Sequence, residues 1–290
     1  MILYEILGST IMLKKVYKII LYSILAIFTV TSLAGCANRQ PSKNNTANFT
    51  PTIFLHGWGS SSNAEEQMTT YIHNRGISDS KIIADVNPKG QVTLHGNIPN
   101  NAKNPLVEVN FENNRNKNYK EDGTWLKNVI LALQKNYHIK KFNVVAHSMG
   151  NMALMYYLLA NGSNKKLPQL QKQVDIAGHF DGILHMNQPS ELTIDKNGCP
   201  NKMIGDYKKL LPLRNNFPKQ IKVLNIMGNY KNRHNDEDVS NTSSMTLRYL
   251  VSKRAKSYQE KIITGKKAQH SQLHESFKVD HMLVKFLWNK

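Results

Sequence analysis

The stretch Phe142-Asn143-Val144-Val145-Ala146-His147-Ser148-Met149-Gly150 decides how the rest of the chain is read. Phe142 to Ala146 is a short apolar run of the length expected of a buried strand, and it ends in turn-forming residues. A helix is expected from Gly150, carrying Met152, Leu154, Met155, Tyr157 and Leu158. A serine on a tight turn from strand to helix is forced to present its hydroxyl above the edge of the sheet. The small residues two before and two after Ser148 let the backbone bend that sharply. The pattern is G-x-S-x-G with Ala146 in the first place.

Nearer the N-terminus, Thr52 to Leu55 is a second short apolar run, ending in His56-Gly57. Between the two runs, Thr124 to Tyr137 sets Trp125, Val129, Ile130, Leu131 and Leu133 around a helical face, so the order reads strand, helix, strand. Val174 to Ala177, Ile221 to Met227 and Lys261 to Thr264 read as further strands. Ser243 to Val251 has helical character, and Val279 to Trp288 closes the chain with apolar residues recurring at three and four. Alternating strands and helices predict an α/β protein with a mostly parallel, doubly wound sheet. In such sheets chemistry collects beyond the carboxyl ends of the strands.

The residues just beyond each strand therefore carry the function. After the first strand comes His56-Gly57-Trp58-Gly59-Ser60-Ser61, and after the Phe142 strand comes the Ser148 turn. Together these stretches resemble the α/β-hydrolase superfamily. The resemblance implies a nucleophilic Ser148 and an oxyanion hole made by the backbone N–H groups of Trp58 and Met149. It also implies an acid and then a histidine, each after a later strand. Asn235-Asp236-Glu237-Asp238-Val239 comes after the Ile221 strand, and Gln269-His270-Ser271-Gln272-Leu273-His274-Glu275 after the Lys261 strand. The segment Gly228 to Tyr249 is similar to the DUF915 family of bacterial surface hydrolases, in which an S-D-G-x-V stretch carries the acid. Aligning its valine with Val239 selects Asp236 and puts Asn235 and Glu237 where Ser and Gly are usual. Asp238 stays open as the alternative, because losing that glycine alters the turn. His270 lies nine positions before Val279, the spacing the superfamily implies for its base, and His274 stays open beside it. The long insert at about 180–218 resembles the small cap of such enzymes. Its Leu184, Met186, Met203, Tyr207, Leu210, Leu211 and Leu213 either line an apolar cleft or pack the cap on the domain.

The N-terminus reads as an address. Met12 to Lys18 (MLKKVYK) is basic, Ile19 to Leu33 has no charge, and Leu33-Ala34-Gly35-Cys36 comes next, resembling the lipobox of bacterial lipoproteins. That resemblance implies a signal peptide over 1–35, a lipidated Cys36 as first mature residue, and a location on the outer face of a Gram-positive cell membrane. Residues 36–50 are a polar, Asn-rich tether, which leaves 51–290 for the hydrolase domain. The length of 290 residues and a hydrophobic fraction of 40% exclude disorder as a description of the whole chain. Cys36 and Cys199 stand far apart with no Cys/His cluster, so neither a disulfide framework nor a metal site is expected. No cofactor is expected either.

The formal charge of +18 points to an anionic partner. No nucleic-acid-binding motif accompanies it, and the aromatics are not interleaved with the basic residues. Removing residues 1–35 takes away Lys14, Lys15, Lys18 and Glu5 and leaves +16 on the exported part. An acidic envelope surface is therefore the expected partner, besides a small acyl-ester or lipid substrate. The expected activity is that of a serine carboxylic ester hydrolase, with a non-catalytic surface binding protein on the same scaffold as the alternative.

Overall fold

Eight strands form one sheet in the order β3-β2-β4-β1-β5-β6-β7-β8. They are β1 (Thr52–Leu55), β2 (Lys81–Val86), β3 (Val92–His95), β4 (Leu106–Phe111), β5 (Lys141–His147), β6 (Gln169–Ile176), β7 (Lys222–Asn229) and β8 (Ser257–Thr264). All neighbours are parallel except β2 and β3, which form an antiparallel pair at one edge. The computed structural model describes Ala47 and residues 49–290. The expected signal segment, Cys36 and most of the expected tether lie outside the described residues. Among the described residues no helix is long and apolar enough to cross a membrane.

The central strands β1, β4 and β5 are buried along almost their whole length, covered on both faces, and apart from Glu108, Asn110 and Asn143 their residues are mostly apolar. Two apolar layers do the covering. One packs against helices α2 (Tyr119–Tyr137) and α3 (Met149–Asn161), and the other receives α1 (Glu66–Asn74) and the last helix, α8 (Phe277–Trp288). The short helices between them in sequence are α4 (Gly205–Leu210), α5 (Leu213–Asn216), α6 (Asn241–Met245) and α7 (Leu247–Val251). Tyr207, Leu210 and Leu213 of the 180–218 insert are fully buried in the first layer, so they pack the insert onto the domain, whereas Met186 is exposed.

The mostly parallel sheet, covered by helices on both faces, matches the expectation. One expectation needs correcting. The stretch between β1 and β5 holds β2, β3, β4 and α1 as well as the expected helix. Charged residues mask two of these strands. Lys81 and Asp85 interrupt β2, and Glu108 sits in the middle of β4, only 2% exposed. The cost of burying Glu108 is offset by the Thr69 hydroxyl at 2.6 Å and by Lys81 at 3.2 Å, partners distant in sequence. The edge strand β3 buries none of its residues and gives too weak a periodic signal to read.

Candidate active site

Each residue of the site stands just beyond the carboxyl end of a parallel strand. Ser148 comes after β5 and is held at φ +49°, a left-handed value that costs a non-glycine residue energy and that only its surroundings sustain. Those surroundings are specific. The Ser148 N–H donates to the Ile176 carbonyl at 3.0 Å. The Asn151 side-chain amide, fully buried, donates to the carbonyls of both Ser148 and Ile176 at 2.9 Å. Gly150 has to be glycine, because a Cβ there would stand 2.7 Å from the Leu55 carbonyl oxygen. The turn is thus pressed directly against β1.

The Ser148 hydroxyl lies 2.9 Å from His270 Nε2, and His270 Nδ1 lies 2.9 Å from Asp236 Oδ2. With Nδ1–H donating to the carboxylate, Nε2 is free to accept the serine proton. All three side chains are nearly buried. Burial opposes a charge on His270, but the hydrogen bond and the charge of Asp236, helped by Asp238, outweigh it and raise the imidazole above its ordinary value. Histidine rings nearby are shifted the other way. Burial, and next the proximity of His270 and His274, hold His147 well below its usual range, and burial followed by His270 brings His179 down to about 4.

Asp236 is fixed by its own turn. Its Oδ1 accepts the N–H groups of Asp238 at 3.0 Å and Val239 at 2.7 Å, and its backbone carbonyl accepts the His270 N–H at 2.8 Å. Of the two acids left open by the sequence, Asp236 bonds the histidine, and Asp238 contributes a backbone donor. Of the two histidines, His270 reaches the serine. His274 packs edge-on against the His147 ring at 4.8 Å and lies 3.3 Å from Glu275. The residue replacing the usual glycine, Glu237, adopts φ +89°, with its N–H donating to the Asn235 side chain at 3.0 Å.

The His56-Gly57-Trp58-Gly59 loop stands beside the serine. A Cβ on Gly57 would lie 3.1 Å from Ser148 Cβ and 3.0 Å from His147 Nδ1, so this close approach needs glycine. The loop is braced by Asn114, whose carbonyl accepts the Gly59 N–H at 2.8 Å and whose amide donates to the Ser60 carbonyl. His56 Nε2 accepts the Phe111 N–H at 3.0 Å, which leaves its proton on Nδ1, donating to the Gly57 carbonyl at 2.8 Å. Among the described residues the Trp58 N–H meets no acceptor. Met149 opens α3, where a backbone N–H has no partner within the helix.

Three contributions were not visible in the sequence. Asn151 is one polar residue in an apolar helix, yet it pins the turn. His147 donates Nε2–H to the His270 carbonyl at 3.1 Å, so it ties the serine's turn to the histidine's loop. Asn114 braces the glycine loop from the end of β4. For Asn114 and His147 the signal is spatial alone. For Asn151, an amide three residues after the serine in a run free of other polar residues was the only hint.

Comparison with known proteins bears on the family and the fold. The family described as "Alpha/beta hydrolase of unknown function (DUF915)" matches residues 39–290. The lin2722 gene product of Listeria innocua has a similar structure, with a TM-score of 0.75 and 25% identity over 84% of this chain and 95% of that one. A cell surface hydrolase of Lactobacillus plantarum gives a TM-score of 0.68 and 20% identity over 83% of this chain and 92% of that one. No curated protein matches. With the family match spanning most of its length, the chain belongs to the DUF915 family of alpha/beta hydrolases.

Proposed function

We propose that this protein is an exported, lipid-anchored serine hydrolase that cleaves carboxylic esters through Ser148, His270 and Asp236. The observation that carries the reading is the unbroken chain of two 2.9 Å hydrogen bonds, starting on a serine strained into the strand-to-helix turn. Ser148 Oγ attacks the acyl carbonyl as His270 Nε2 takes its proton. Asp236 keeps the other imidazole proton on Nδ1 and stabilises the imidazolium that forms. The negative oxygen of the tetrahedral intermediate is met by the N–H groups of Trp58 and Met149. His270 then gives its proton to the departing alcohol. In the second half a water enters, His270 removes its proton, and the acyl-enzyme is hydrolysed to acid and free Ser148.

The 180–218 insert roofs the substrate cleft. Its ties to the acid turn support this, with the Leu184 N–H on the Asp238 carbonyl at 2.8 Å and the Ser240 hydroxyl on Gln188 at 2.6 Å. Anchoring rests on the basic and then uncharged leader ending in Leu33-Ala34-Gly35-Cys36. The test is hydrolysis of p-nitrophenyl esters of increasing acyl length. Turnover by the wild type and none by Ser148→Ala is expected. Folded protein that turns over no ester would reject the reading in favour of a binding protein on this scaffold, and equal turnover by both proteins would reject Ser148.

A further inference from the structure

The lysines are not spread evenly over the surface. The sequence from Gly123 to Val174 contains no Asp or Glu, and neither does Tyr207 to Asn235 or Val239 to Gln259. In the fold these acid-free segments meet at one place, the amino ends of β5 to β8. Lys140 and Lys141 enter β5, and Lys165 and Lys166 precede β6. Lys219 precedes β7 and Lys222 opens it, and Lys253 and Lys256 precede β8. Strand register sets the rows side by side. Lys141 pairs with Gln169, Lys172 with Lys222, and Lys222 with Ser257. Lys140, Lys141, Lys165 and Lys166 are exposed and surround a hollow of about 570 Å³ floored by glutamines and Leu167. Among the described residues none of these eight lysines is paired with a carboxylate. Like charges unpaired at this density cost stability through mutual repulsion, which an anionic partner relieves.

A second observation says which partner. The chain enters the domain at this same edge, where the Pro51 carbonyl accepts the Asn143 N–H at 2.8 Å, two residues from Lys141. In sequence, the uncharged stretch Ile19 to Leu33 and Cys36 precede this point of entry. Ser148 stands at the opposite edge, past the carboxyl end of β5.

We propose that the lysine edge of β5 to β8 docks on an anionic lipid bilayer and turns the Ser148 cleft away from that bilayer. The inference rests on the anchored reading above for bringing this edge to a membrane. Short-range attraction to acidic headgroups adds to the hold of the anchor and, more importantly, fixes orientation, which a polar tether alone does not. The hydrolase then acts on substrates in the space outside the membrane rather than on the lipids beneath it.

The test is amine-reactive footprinting of the full chain on vesicles, read by mass spectrometry. On vesicles of equal phosphatidylglycerol and phosphatidylcholine, labelling of Lys140, Lys141, Lys165 and Lys166 should slow by about threefold or more relative to pure phosphatidylcholine. Lys266 and Lys267, beyond the carboxyl end of β8, should label equally on both, and about 1 M salt should abolish the protection. Combined Lys140→Gln, Lys141→Gln, Lys165→Gln and Lys166→Gln changes should release Lys219 and Lys222 from protection and leave ester hydrolysis in solution unchanged. Equal labelling at both edges on acidic vesicles would overturn the proposal. So would protection by a soluble polyanion, such as poly(glycerol phosphate), without protection by vesicles, which would reassign the edge to a wall polymer; protection by inorganic phosphate alone would reduce it to a small-anion site. Failure of the full chain to float with pure phosphatidylcholine vesicles would count against the anchor and not against the lysine edge, because protection on acidic vesicles is read separately.

Discussion

The turns that hold Ser148 and Asp236, on either side of His270, are built on opposite plans. The Ser148 turn obeys the rule for sharp bends: small residues on either side, glycine where β1 presses closest, and a buried asparagine that pins the strained peptide. The Asp236 turn breaks that rule. It carries Glu237 at φ +89°, where glycine would be at ease, and it nevertheless holds the carboxylate 2.9 Å from His270. The difference is in what fixes each side chain. Ser148 is placed by backbone conformation, so every neighbour must make room. Asp236 is placed by donors, two N–H groups on Oδ1 and the His270 N–H on its carbonyl, so the turn tolerates a strained residue at its exposed tip.

That contrast can be broken first at the carboxylate. Asp236→Asn keeps the shape but removes the acceptor that fixes the imidazole tautomer, so kcat is expected to fall by about 10⁴-fold. The pH profile supplies the sign. In the wild type the carboxylate raises His270 against the effect of burial, so the neutral base is lost as pH falls through a value above that of free histidine. In Asp236→Asn the acidic limb of the residual kcat/KM should move to lower pH. An unmoved limb would mean that Asp236 does not govern His270.

A smaller effect is expected at the serine turn. Asn151→Ala removes two hydrogen bonds from buried carbonyls, at a cost of about 1–3 kcal/mol in urea unfolding. It should also lower kcat/KM by about tenfold, because Ser148 loses its fixed geometry. Full activity in a destabilised variant would show that the turn needs no pin. The smallest effect belongs to the acid turn. Glu237→Gly should leave kcat unchanged and stabilise the fold by about 1 kcal/mol or less, since relief of the left-handed conformation is partly cancelled by the freedom glycine gains on unfolding. A loss of activity there would contradict placement by donors.

The same physics separates what the sequence disclosed from what it hid. β1, β5 and β7 were legible because strands buried on both faces must be apolar, and Ser148 because so few residues can make its turn. β2 and β4 were not, because Lys81 and Glu108 satisfy each other only once the sheet is assembled. Asp236 and His270 were favoured over Asp238 and His274 by the family resemblance, through the alignment on Val239 and the nine residues from His270 to Val279. Asp238 and His274 stayed open because which way a turn aims its side chain depends on the assembled fold. Asn114 acts through a carbonyl brought to it by another loop, so nothing local marked it, and Asn151, which also bonds Ile176 of another strand, was marked only as an amide in an apolar run.

The hydroxyl of Ser148, activated by His270, is the point on which the proposed chemistry depends. Reaction of the folded protein with a fluorophosphonate, followed by intact-mass measurement and peptide mapping, addresses it directly. A single adduct on Ser148 is predicted in the wild type, none in Ser148→Ala, and strongly slowed formation in His270→Ala. Labelling of Ser148→Ala at the wild-type rate, or a wild-type adduct on any other residue, would contradict that chemistry.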